Sequence, residues 1–346
     1  MNSIDHLMKY KAAIVGLSHN KKERQFLQDS FTRWYFNSSP DNNFIPQNNI
    51  VNPDDLYYAN NHKKCNFNIR NIIEQSVIFF NKMKKELANS KEEIYKNQDD
   101  LISGAQLTRL KKIYIDADEN FEADKNKLIA IYNFIGMNSI HMSIPPIFEG
   151  IELFGSPLNT HNPFCSPFKF EKIFSSLGSF FDFNIAESMK TIFTANPPFD
   201  EAIMEQMAKR LDAELLKSKN NKTIIITIPV WDSASQKLLN IPDYKMDFKA
   251  FDLLKKSKFF IANEILDKKE YPYWDYYKQA LIPVSYTHLI ILTNGKPKYT
   301  LAEIKQKWKK FQPQIGGRLK KKSNKSDCKK IQSINIKSVK RYKSKK

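Results

Sequence analysis

A chain of 346 residues, 41% of them hydrophobic and 13% aromatic, has the material for two or three domains with sizeable cores. It has no apolar run of the ~18 residues a membrane helix needs. Its start, Met1 to His6, lacks the basic and apolar regions of a signal peptide, so a soluble protein inside the cell, nuclear or cytoplasmic and without a membrane partner, is expected. The net charge of +18 points to acidic partners. The cysteines Cys65, Cys165 and Cys328 fit no CxxC or His-Cys spacing, which argues against a disulfide framework or a metal site.

Residues 1–141 read as a helical, substrate-binding domain. The clearest helix runs from Asn68 to Leu87, where Ile69, Ile72, Ile73, Val77, Phe80, Met83 and Leu87 recur at steps of three and four. Further helices are predicted over Lys22 to Phe36, Ala105 to Ile115 and Phe121 to Ile135. The Asn- and Pro-rich stretch Asn37 to Asn66 reads as a long loop. Arg24, Arg33, Arg70 and Arg109 are candidates for nucleic-acid contacts, although taken singly each is better explained as a solvated helix residue.

The pattern changes at Met142. Strands are predicted at Gly150 to Gly155, Phe180 to Phe183, Thr191 to Ala195, Thr223 to Pro229 and Tyr286 to Thr293, with helices at Asp200 to Leu216 and Leu301 to Phe311. This alternation argues for an open α/β sheet over residues 142–315, with any cofactor at the strand ends. Neither GxGxxG nor GxxxxGK[ST] occurs, so a phosphate-bearing nucleotide lacks its usual cradle. S-adenosylmethionine carries no phosphate and needs less glycine.

Residues 316–346 contain 13 Lys and Arg against the single acid Asp327, which is +12 of the total +18. Such a tail is expected to be disordered in isolation and to bind phosphate backbones through counterion release, or to serve as a nuclear-entry signal. A solvated tail with no specific partner is the competing reading. Phosphate contacts position a nucleic acid without specifying its sequence.

The stretch that concentrates chemistry is Asn196-Pro197-Pro198-Phe199, between a β-branched, aromatic run and an amphipathic helix. The Asn196 side-chain oxygen and the Pro197 carbonyl can accept the two N–H bonds of a planar aromatic amine and hold it for methylation. Positive charge growing on that nitrogen is favoured by the two acceptors. Proline fixes φ and brings no competing N–H, and Phe199 can stack on a base. An ordinary Asn-Pro-Pro turn is the alternative that these four residues alone leave open.

Four segments occur in order: Glu152-Leu153-Phe154-Gly155-Ser156-Pro157-Leu158-Asn159, Leu177-Gly178-Ser179-Phe180-Phe181-Asp182-Phe183, Ala195-Asn196-Pro197-Pro198-Phe199-Asp200-Glu201 and Ile228-Pro229-Val230-Trp231. Together they resemble the phosphorylated CTD-interacting factor family, the cap-specific adenosine N6-methyltransferases. The resemblance extends from about Leu107 to about Phe311.

It implies a Rossmann-like methyltransferase domain behind the helical domain, and methyl transfer from S-adenosylmethionine to N6 of the first transcribed adenosine of capped RNA. By the same resemblance Asn196, Pro197, Pro198 and Phe199 would form the catalytic loop. Phe154, Gly155, Ser156, Pro157, Asn159, Asp182 and Asn196 would meet the cofactor, and Phe199, Glu201 and Trp231 the substrate. Asn159 also suits a purely turn-stabilising role, Asp182 a helix cap and Trp231 a core position. No histidine is placed as a general base, and no metal is implied. Animal members carry a WW module. Here Trp34, Trp231, Trp274 and Trp308 provide no pair at WW spacing, so WW-type docking to the polymerase tail is not expected. Val230 stands where the family has glutamate. Methylation of adenine in internal RNA or DNA, and a non-catalytic RNA-binding partner with this fold, are the alternatives.

Overall fold

Apolar residues at helical spacing build the first part of the chain: α1 (Ser3–Val15), α2 (Lys21–Asn37), α3 (Pro53–His62), α4 (Ile69–Ala88), α5 (Gly104–Ile113) and α6 (Phe121–Ile135). The computed structural model describes residues 2–37, 44–46, 53–62, 65–89, 94–115, 120–136, 142–241 and 248–311. The basic segment 316–346, with Cys328, lies outside the described residues, as does the Arg33 side chain. Met1–Phe311 form one compact unit.

The helices predicted from periodicity are present. Asn68 caps α4 by accepting the Asn71 N–H at 3.1 Å, and the buried Ile72, Phe80 and Met83 lie on one face. α3 is a correction, because it occupies part of the stretch Asn37 to Asn66 read as a loop. Its polar sequence conceals two fully buried positions, Leu56 and Ala59, that pack with Leu27, Cys65, Phe67 and Ile72. Pro53 suits its first turn, where no N–H is required. At the centre of the helical layer, Tyr10 meets Phe31, Trp34 and Phe80 edge-on, with centroids at 5.4, 5.7 and 5.8 Å.

The second part is a mixed five-stranded sheet of order β2-β3-β4-β8-β5, from β2 (Ile151–Glu152), β3 (Ile192–Ala195), β4 (Thr223–Pro229), β5 (Phe260–Leu266) and β8 (Thr287–Thr293). β2, β3 and β4 run parallel, whereas β8 is antiparallel to both β4 and β5. The expected mixed α/β class is therefore observed. A smaller antiparallel sheet joins β1 (Met142–Ser143), β6 (Tyr273–Asp275) and β7 (Ala280–Ile282).

β4 is buried along its whole length, as a near-continuous isoleucine run demands. Ile224, Ile226 and Ile228 share a core with Met204, Met207 and Leu211 of α7 (Glu201–Lys217), and with Phe251 and Leu254 of α9 (Lys249–Lys256). Ile225 belongs to another core, with Tyr273 of β6 and Ile304 and Trp308 of α10 (Leu301–Lys310). The short α8 (Ser233–Leu238) follows β4.

The strand predicted at Phe180 to Phe183 is instead a turn. The N–H groups of Asp182 and Phe183 both donate to Ser179 O, at 3.0 and 2.9 Å. The Arg210 guanidinium donates to the carbonyls of Phe180 and Phe183 at 3.2 and 3.0 Å. The carbonyls a strand would offer to a neighbour are thus satisfied by a side chain from α7.

Helical and sheet layers meet through α5. Ser103 Oγ donates to Tyr276 O at 3.0 Å, and the buried Gln106 donates through Nε2 to Leu158 O at 2.8 Å. The second bond ties α5 directly to the Ser156 to Asn159 turn.

Candidate active site

The sheet register brings three separate segments to one edge. Glu152 pairs with Thr194, and Thr194 with Ile225. Two residues further along each parallel chain stand Phe154, Asn196 and Thr227, at the carboxyl ends where open α/β sheets place their ligands.

Asn196 is half-buried, and its Oδ1 accepts a hydrogen bond from Thr227 Oγ1 at 3.0 Å. Pro197 is buried behind it, while Pro198 and Phe199 are exposed. The Pro198 carbonyl accepts the Asp200 N–H at 2.7 Å, and Asp200 caps α7 by accepting the Ile203 N–H at 3.0 Å. Among the described residues no hydrogen bond reaches the Pro197 carbonyl. The turn therefore leaves one carbonyl available beside the Asn196 side chain. Glu201 opens α7, half-buried.

Phe199 is 37% exposed and meets Trp231 at 6.0 Å and Tyr273 at 6.5 Å, both edge-on. Trp231, at the end of β4, is half-buried and also lies edge-on to Phe248 at 5.6 Å. Two aromatic residues beside the Asn196 loop thus keep accessible surface. Val230 is buried, and its N–H donates to Tyr286 O at 3.0 Å.

On the other side, Phe154 is half-buried against Phe180, with centroids 4.6 Å apart, and Phe181 at 6.3 Å. Asp182 is exposed in the same turn as these two rings. Gly155 is glycine for a packing reason, since a Cβ there would lie 2.8 Å from the Phe164 Cβ. Asn159 Oδ1 accepts both Ser156 N–H, at 2.8 Å, and Ser156 Oγ, at 3.0 Å. Pro157 is buried inside this turn.

Several groups at the site escape a sequence reading. Thr227 is a polar position in an otherwise isoleucine-rich strand, which is a faint signal. The buried hydroxyl of Tyr273 hydrogen-bonds Thr287 at 3.1 Å, and burial pushes its pKa up to about 12 despite this bond. Fully buried His288 pairs through Nε2 with Asp232 Oδ2 at 2.7 Å and stacks on Phe251 at 3.9 Å. Asp232 also caps α8, accepting the Ser235 N–H at 2.8 Å. Burial alone would raise the Asp232 pKa, but the Ser235 N–H and His288 hold it below the usual range. This pair anchors the residue that follows Trp231.

Of the candidate arginines, Arg24 is solvent-exposed and Arg70 is an exposed partner of Glu74 at 2.8 Å. Arg109 differs. It is half-buried at the layer junction, its Nε has no hydrogen-bond partner among the described residues, and burial lowers its pKa while Tyr276 and Glu152 oppose that shift.

The family model described as phosphorylated CTD interacting factor 1 WW domain matches residues 147–276. That stretch of the chain is similar to the family. All four ordered segments fall inside it, as do β2 to β6. Among the described residues no helix is long and apolar enough to cross a membrane.

Proposed function

We propose that the chain is an S-adenosylmethionine-dependent methyltransferase acting on N6 of the adenosine next to the cap of capped RNA, through a Rossmann-like domain. The observation that carries this reading is the Asn196 to Phe199 loop. An amide oxygen held at 3.0 Å by Thr227, a neighbouring uncommitted Pro197 carbonyl and an exposed ring sit together at parallel strand ends.

Asn196 Oδ1 retains a second lone pair for one amine N–H, and Pro197 O suits the other. Both acceptors favour the positive charge that develops on the attacking nitrogen, and they limit the geometries the amine can take. No base is required before attack if the proton leaves afterwards. Phe199 and Trp231 offer aromatic surface for the adenine, and Glu201 stands where it can meet the substrate strand.

The residues fit a cofactor that lacks phosphate. Phe154 offers a half-buried ring at the end of β2, the Ser156 to Asn159 turn is locked beside it, and the exposed Asp182 suits a ribose diol. When bound, S-adenosylmethionine supplies the reactive methyl group. Phe154, Gly155, Ser156, Pro157 and Asp182 are the residues proposed to hold it, with Asn159 acting through the shape of the turn. The basic tail is proposed to grip the RNA backbone.

Methyl transfer to paired RNA oligonucleotides with and without the cap, with the product nucleoside identified by mass, tests the reading. Capped RNA should be strongly preferred and N6-methyladenosine formed at its first nucleotide. Equal rates on the two would discard cap specificity in favour of internal adenine methylation.

A further inference from the structure

We infer that His288 is a positioning residue that holds Trp231 in place for the substrate base, by gripping Asp232 on one side of it and Phe251 on the other. The inference rests on the proposed adenine methylation, in which Trp231 and Phe199 offer aromatic surface to the base. The place of His288 in β8 calls for an apolar residue. It pairs with Ile228 of β4 and Ile265 of β5, and its alternate neighbours Ile290 and Leu292 belong to the core shared with α7 and α9. A fully buried imidazole there is costly unless its nitrogens find partners.

Those partners lie around Trp231. Nε2 is 2.7 Å from Asp232 Oδ2, Nδ1 is 3.3 Å from the Asn263 amide, and the ring stacks on Phe251 at 3.9 Å with an interplanar angle of 16°. A neutral ring with its proton on Nε2 and a doubly protonated ring both donate to Asp232, so this bond does not depend on the charge of the imidazole. Asp232 uses both its oxygens, because Oδ1 accepts the Ser235 N–H at 2.8 Å at the start of α8. Gln236 of α8 donates through Nε2 to Val230 O at 3.3 Å, which folds the helix back onto the residue before Trp231. On the other side Phe248, just before α9, meets the Trp231 ring edge-on at 5.6 Å, and Phe251 lies in the first turn of α9. Trp231 is thus held through the residue that follows it and through the aromatic residue beside it, and both holds lead to one imidazole.

Three substitutions separate this hold from plain packing. His288→Leu suits the apolar core and removes the donor, whereas His288→Gln keeps an N–H near the place of Nε2. Asp232→Ser keeps a side chain that caps α8 and is too short to reach His288, so it tests the hold at a half-buried position where the core is untouched. His288→Leu and Asp232→Ser should each raise KM for RNA about tenfold, the scale of one base stacked on an aromatic side chain, with turnover at saturating RNA near native. His288→Gln should bring KM back. Combining His288→Leu with Asp232→Ser should be no worse than His288→Leu alone, since both release the same grip.

An independent readout is fluorine NMR of full-length protein labelled with fluorotryptophan, which gives one resonance for each of the four tryptophans. That of Trp231 is identified by its loss in Trp231→Phe. It should move in His288→Leu and Asp232→Ser while those of Trp34, Trp274 and Trp308 stay, and it should return toward the native position in His288→Gln. An unmoved Trp231 resonance in Asp232→Ser, or displacement of all four together, would overturn the inference, as would multiplicative losses in the double variant. If the native protein methylates no adenosine in any RNA, the proposed function fails, and the fluorine resonances still decide whether His288 holds Trp231.

Discussion

Asn159 Oδ1 lies 2.8 Å from the Ser156 backbone nitrogen and 3.0 Å from Ser156 Oγ, so its acceptor is committed to the turn that carries it. The same turn is fastened to the helical layer by Gln106 at Leu158 O. Asn159→Ala would leave a buried N–H and hydroxyl without their acceptor. We expect a loss of about 1–3 kcal/mol in urea unfolding, with or without S-adenosylmethionine. A residue that only touched cofactor would leave the apo stability unchanged and weaken cofactor affinity alone.

The features legible in the sequence are those whose physics is local. α4 and α6 follow from three-and-four spacing, and β4 from an unbroken β-branched run bounded by Lys222 and Pro229. Asn196 to Phe199 stands out because four adjacent residues carry both the turn and the chemistry. What sequence cannot show depends on distant partners. Phe180 to Phe183 has strand composition, yet Arg210 of α7 claims its carbonyls. The buried positions of α3 are set by Leu27 and Phe67, not by its own polar residues. Thr227 acquires meaning only once the pairing of β3 with β4 sets it beside Asn196.

Phe199 is exposed enough that its ring adds little to the core, and it sits edge-on to Trp231. Phe199→Ala should weaken productive RNA binding by about 1–3 kcal/mol, the range for one base stacked on an aromatic side chain. Steady-state kinetics would show this as a raised KM for RNA, with thermal unfolding little changed. Phe199→Tyr keeps the ring face and should stay close to native. A large fall in melting temperature for Phe199→Ala would instead make it a packing residue.

Residues 316–346 carry +12 of the net charge. Their removal should weaken RNA affinity and flatten the dependence of log K on log salt, because fewer counterions are released. Turnover at saturating RNA should be preserved. An unchanged salt slope would exclude the tail from the RNA contact.

Glu171 is fully buried, and its carboxylate oxygens accept from Tyr132 Oη and, at 3.3 Å, from Phe168 N. Burial raises its pKa to about 7, against hydrogen bonds from Ser166, Tyr132 and Phe168 that act in the opposite direction. Because the folded value lies above the unfolded one, the folded state binds the extra proton between about pH 4.5 and pH 7. Its contribution is therefore fully present below that window and is lost as pH rises through it. On the order of 3 kcal/mol is at stake for this group. Buried Glu152, also raised to about 7 by burial against the bonds from Thr160 and His161 N and the charge of Arg109, adds a slope of the same sign. Urea unfolding across this range should show stability falling with pH, and Glu171→Gln, neutral at every pH, should make the fall shallower. Glu152→Gln should do the same independently, since the two carboxyls have different hydrogen-bond partners, and a slope unchanged in both variants would place the titrating groups elsewhere.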